Sequence, residues 1–258
     1  MNFVYISPQF PKNFYHFCES LKNNGVNVLG IGDTPYDQLS PELKASLTEY
    51  YKVNTLESLD EKIRAIGYFI HRYGKIDWLE SNNEYWLESD AKLRTEFNIT
   101  TGMMVDHIND FKEKSAMKAF YEKAGVPTAR YHLVQGQEDA KAFIEKVGYP
   151  VVVKPDNGVG AAATYKLRSD ADLENFLASK IDVQYIMEEF VNGTIETYDG
   201  IVDLDNEVVF ETSHLFPEPV MNIVNDALDM AYYSRREIPA DLLDAGRRTL
   251  KAFNVRGR

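Results

Sequence analysis

Apolar positions along this chain follow two rhythms, and the changes between them mark its elements. Phe3 to Ile6 is a short apolar run of strand length, and Phe14, Phe17, Cys18 and Leu21 then recur at helical spacing until Gly25 stops them. That is a β-α unit. Val26 to Ile31 predicts a second strand, Tyr50 to Val53 a short third, Leu59 to Tyr73 a helix, and Ile76 to Leu79 a fourth strand. Strands alternating with helices imply a mainly parallel sheet with helices on both faces. A helix is predicted from about Glu84 to Phe97 and another from about Asp110 to Ala124. The second presents Ala116, Met117, Phe120, Tyr121 and Ala124 before Gly125-Val126-Pro127 ends it.

From Tyr131 the pattern changes. It reads strand, helix (about Glu138 to Val147), strand, loop, strand, helix (about Asp170 to Ser179), strand (Val183 to Met187), which suits a small α+β module with an antiparallel sheet. Ser169 followed by Asp172 resembles an acidic capping box for the later helix. Strands near Thr197 to Asp203 and Val208 to Ser213 are joined by a turn at Asp205-Asn206, and Pro239 opens a last helix with Leu243, Leu250 and Phe253 on one face. The predicted fold is therefore an α/β half, about residues 1–108, followed by an α+β half, 109–258. No internal repeat or low-complexity segment interrupts them.

Composition narrows the function classes. The chain has 258 residues, 44% of them apolar, and a formal net charge of -12. Such a charge opposes a broad nucleic-acid-binding surface, so any anion site must be local and enclosed. The single cysteine, Cys18, excludes an internal disulfide and is expected in the core. No apolar run reaches the roughly 20 residues of a membrane span, and the first residues lack the pattern of a signal peptide, so the expected location is the cytoplasm. The first turn, SPQFPKN, has no glycine, which removes the dinucleotide fingerprint of a Rossmann domain.

The candidate chemistry gathers around Gly148 to Ala163, GYPVVVKPDNGVGAAA. Val151 to Val153 favour an extended backbone, Pro155 ends the ladder, and Gly158 and Gly160 let the chain bend sharply. Lys154 is delivered into that loop, where backbone N–H groups and one cation can hold phosphate oxygens. A plain hairpin explains the glycines alone equally well. Downstream, a strand runs into Glu188-Glu189-Phe190-Val191-Asn192-Gly193 and then Glu196, offering backbone groups to an adenine and a carboxylate to a ribose. Upstream, Lys114, with Lys112 as its competitor, lies near the start of the helix that ends at Gly125-Val126-Pro127.

Together these pieces resemble the ATP-grasp superfamily, in its biotin carboxylase and carbamoyl phosphate synthase branch. The resemblance runs over nearly the whole chain: Lys114 with AGVP at Ala124 to Pro127, GYPVVVKP-x-x-G-x-G at Gly148 to Gly160, and MEEFVNG at Met187 to Gly193 with Glu196. It implies a pre-ATP-grasp domain at 1–108 and an ATP-grasp domain at 109–258 whose lid spans about 128–187. It further implies that Lys114 and Lys154 bind phosphate, with Lys154 the catalytic lysine, and that the segment from Gly158 through Gly160 and Ala161 to Ala163 closes over the β- and γ-phosphates. Glu188 would lie beside the adenine amino group, the backbone of Glu189, Phe190 and Val191 would form the adenine hinge, and Glu196 would bind the ribose. The implied cofactors are ATP and Mg2+. The implied reaction phosphorylates a small carboxylate, and an amine then displaces the phosphate.

One departure accompanies this resemblance. The family's magnesium-binding glutamates lie on strands after the last helix, where this chain stops, so a truncated and inactive chain without metal ligands of its own is expected. Glu211 as a substitute ligand is weighed against a solvated strand carboxylate, and the latter is preferred. For substrate, Asn82 and Glu84 follow a strand's carboxyl end, His214 follows the strand at Val208 to Ser213, and Arg235 with Arg236 suits an anion. A cap is an equal reading for Asn82 or Asn83, and a charged surface loop for the arginines. The five histidines show no metal-ligand spacing. Ser115-x-x-Lys118 matches the motif of penicillin-recognising enzymes but lacks its companions. The rival functions are a bicarbonate-using carboxylase or carbamoyl-phosphate-forming component, and a noncatalytic nucleotide-binding module. A homodimer is the default assembly.

Overall fold

The structure, a computed structural model, describes residues 1–158, 163–218, 223 and 227–257. It divides into two units, Met1–Ile108 and Asn109–Arg258.

In the first unit, β1 (Asn2–Ile6), β2 (Asn27–Gly32), β3 (Glu49–Lys52) and β4 (Trp78–Glu80) form a parallel sheet in the order β3-β2-β1-β4. Both faces are covered. Val4 and Ile6 of β1 join Leu29, Ile31, Ile66, Phe69 and Leu93 in one core, while Phe3 and Tyr5 point the other way, to Cys18, Leu43 and Leu47. The first core is closed by α3 (Leu59–Tyr73) and α4 (Leu87–Glu96), the second by α1 (Tyr15–Asn23) and α2 (Pro41–Ser46). Six residues are too few for a periodic signal, so α2 escapes a sequence reading, although Ser40 accepts from the Leu43 N–H and Pro41 opens it. Phe17 is not buried as its spacing suggests. Its ring is 48% exposed and meets Phe14 edge-on, leaving Cys18 as the buried residue of α1.

Charges are buried in this unit as well. Arg94 is fully enclosed and donates to the Leu79 and Met103 carbonyls at 2.9 Å each and to Glu80 Oε1 at 2.5 Å. Its guanidinium thereby ties α4 to β4 and to the segment that follows.

The second unit begins with α5 (Lys114–Lys123). The predicted start near Asp110 falls instead in a 3-10 turn at Ile108–Phe111, because Glu113 turns extended to form a β-bridge with Asn157. An antiparallel sheet follows, β5-β8-β6-β7, from β5 (Tyr131–Val134), β6 (Val151–Pro155), β7 (Tyr165–Leu167) and β8 (Tyr185–Glu189). Alternation divides its faces. Val134, Val151, Val153, Leu167, Tyr185 and Met187 pack on α6 (Gln137–Val147) and α7 (Asp170–Ser179), and Ser169 caps α7 through the Asp172 N–H. Tyr131, Val152, Lys154, Lys166 and Glu188 take the other face. The strand predicted at Val183 to Met187 lies two residues later, since pairing with both β5 and β6 holds Glu188 and Glu189 inside the ladder.

A second antiparallel sheet, β11-β10-β9, contains β9 (Ile195–Val202), β10 (Val208–Phe216) and the short β11 (Tyr233–Ser234). It is backed by α8 (Ala240–Phe253), where Gly246 admits the ring of Tyr198 and Phe253 meets Phe111, Phe120 and Tyr121. No helix among the described residues is long and apolar enough to cross a membrane.

Candidate functional site

The site is built where α5 meets the end of β6. No side chain of α5's own cap satisfies its first N–H groups, and Asp156 does so from the neighbouring strand end: its carboxylate accepts from the Ser115 N–H at 2.8 Å and hydroxyl at 2.6 Å. The Lys114 N–H reaches the Asp156 carbonyl, and its ammonium donates to the carbonyls of Pro155 (3.0 Å), Asp156 (3.2 Å) and Gly158 (3.1 Å). Lys114 is thus held at the mouth of the glycine loop. Gly160 and Ala161 lie outside the described residues.

Lys154 projects from the polar face of the same sheet. Its ammonium sits 2.5 Å from Glu188 Oε2, and Glu188 Oε1 receives Lys118 at the same distance. Glu188 is 8% exposed. Burial alone would raise its carboxyl, but the contacts from Lys118 and Lys154 outweigh burial and hold it below the ordinary glutamate value. Lys118 is the lysine of the Ser115-x-x-Lys118 match whose companion motifs are missing. Its signal was the i,i+4 spacing from Lys114, which places both lysines on one side of α5.

Glu189 turns to Arg130, accepting from its backbone N–H at 2.8 Å and its Nε at 2.7 Å. Glu188 and Glu189 therefore alternate, and each has a basic partner. Beyond them, Phe190 lies under the Lys166 ammonium, 3.4 Å from the ring centroid, and Val191 is 66% exposed.

The remaining candidates of this unit fall on the second sheet. Glu196 accepts from Arg235 Nε at 2.5 Å, so the arginine read as a candidate for an anionic substrate holds the carboxylate read as a ribose ligand. His214 does not follow its strand but lies within β10, with Nδ1 2.9 Å from Asp199 Oδ2 on β9. Glu211 is not a solvated carboxylate either: Arg247 and the Tyr198 hydroxyl both engage it. Longer pairing of β9 with β10 brings these groups together.

Asn82 and Glu84 belong to the first unit. Asn82 adopts φ 51° and donates to the Tyr5 hydroxyl at 3.1 Å, while Asn83 caps the short turn that begins at Glu84. Beside them, a cavity of about 410 Å³ is lined by Ser7, Gln9, Asp33, Asn83, Tyr85 and Trp86, among others.

Among the described residues, no group of three or more His, Cys, Asp or Glu side chains is placed to hold a metal ion.

Residues 119–229 match the ATP-grasp domain model. The carbamoyl phosphate synthase large chain of Methanothermobacter thermautotrophicus is 24% identical over 197 residues, which cover 74% of this chain and 17% of that protein. Among solved structures, L-amino acid ligase from Bacillus licheniformis superposes with a TM-score of 0.71 at 15% identity, over 98% of this chain and 60% of that one. N5-carboxyaminoimidazole synthetase from Staphylococcus aureus, complexed with ADP, gives 0.70 at 12%, over 98% and 62%. The chain carries an ATP-grasp domain. It spans about a sixth of the length of the carbamoyl phosphate synthase relative.

Proposed function

We propose that the second unit binds ATP and that the parent activity is ATP-dependent ligation of a small carboxylate to an amine. The observation that carries this reading is the stapling of α5 to the end of β6, which holds Lys114 on the carbonyls of Pro155 and Gly158, directly after Lys154. Two lysines so placed offset polyphosphate charge, each charge-assisted contact contributing about 1.5–3 kcal/mol. The Glu189 N–H is already given to the Arg130 carbonyl, so the backbone of Phe190 and Val191 takes the adenine edge, and Glu196 the ribose once Arg235 releases it. Lys154 would stabilise charge on the transferred phosphoryl group, and an amine would then displace phosphate from the acylphosphate.

The relatives support the carboxylate-to-amine form over a purely noncatalytic module, since an L-amino acid ligase shares the fold. Trapping with hydroxylamine tests the chemistry. Incubation of the full-length parent protein with ATP, a panel of small carboxylates and hydroxylamine should yield a hydroxamate together with ADP. ADP release without hydroxamate from any carboxylate in the panel would contradict an acylphosphate route.

A further inference from the structure

Glu188 has two ammonium partners where one would neutralise it. Lys118 and Lys154 each lie 2.5 Å from one of its oxygens, so the enclosed trio carries one net positive charge. The Lys118 side chain is 12% exposed, with its ammonium 5.4 Å from the centre of the Tyr131 ring, and Tyr131 lies directly across the ladder from Glu188. Nothing in the phosphate-binding role of Lys154 requires this second lysine. The exchange of partners on nucleotide binding does.

For Lys154 to meet a phosphate oxygen, it must loosen its hold on Glu188. A buried carboxylate left without a counter-charge is strongly disfavoured, and it would keep Lys154 for itself. With Lys118 in place, Glu188 retains one partner while Lys154 moves to the anion. We infer that Lys118 is a positioning residue of the nucleotide site, acting through Glu188 to leave Lys154 available for phosphate. This inference rests on the ATP-binding reading and adds to it a third lysine that touches no nucleotide.

The test is a set of ADP titrations by calorimetry on the intact chain and its variants, each checked for folding by circular dichroism. Lys118→Met should weaken ADP binding at least tenfold, and Lys118→Arg, which keeps the charge, should stay within about threefold of the parent. In a Glu188→Gln background the carboxylate no longer competes for Lys154, so adding Lys118→Met should change affinity less than threefold. A loss of equal size in both backgrounds, or an arginine variant as weak as the methionine one, would show that Lys118 only packs α5 against the sheet. Unchanged ADP affinity in Lys118→Met would overturn this inference alone. Absence of ADP binding by the parent chain would overturn the ATP-binding reading, and this inference with it.

Discussion

Lys154 stands out in the sequence because three valines and a proline surround it, a setting in which a long cation needs an anion or a route to water. The structure supplies the anion as Glu188, which the hinge pattern had marked for another reason. Lys118 was harder to read. A lysine on a helix resembles any solvated lysine until the strand it faces is known, and Glu188 lies seventy residues further along. The electrostatics of Glu188 have a defined pH signature. Its carboxyl is held below the ordinary value of about 4.3, so its contribution to stability is present above that pH and is lost as pH falls through the lowered value in the folded state. Glu188→Gln should therefore flatten the acid limb of a plot of thermal midpoint against pH below about 4.3. A variant that keeps the slope of the parent would mean that other carboxylates govern that limb.

Elements with both a cap and a period were the legible ones. The helices over Leu59–Tyr73 and Asp170–Ser179 have their predicted bounds, each begun by a serine whose hydroxyl accepts from the N–H three residues later. The start of α5 was misplaced by four residues because its cap, Asp156, comes from a different element and leaves no local trace. The β11-β10-β9 sheet was legible as strands but not as a site, since the pairs Glu196–Arg235 and His214–Asp199 depend on register. The buried Arg94 is a further element-scale device that no periodicity announces. Replacing it by methionine would strand Glu80 and leave the Leu79 and Met103 carbonyls without their donor. Arg94→Met should cost roughly 3–5 kcal/mol, read as a lowered denaturant midpoint by circular dichroism. A loss below 1 kcal/mol would show that the ion pair adds little.

At the scale of the whole molecule, the change from parallel to antiparallel sheet was legible because the rhythm of the chain changes near Tyr131. The nucleotide reading rests on three short motifs in order, none of them decisive alone, and the match of residues 119–229 to the ATP-grasp domain spans the second and third of them. What no motif carries is the identity of the carboxylate and the amine, because those contacts are set by individual side chains on loops and sheet edges. The central claim is that Lys154 and the turn after it hold the phosphates of ATP. Calorimetric titration of ATP into the parent chain and into Lys154→Ala addresses it directly. The account predicts saturable binding by the parent and a weakening of about tenfold to a hundredfold in the variant, the loss of one charge-assisted contact. Equal affinity in both, or no binding by the parent, would contradict it.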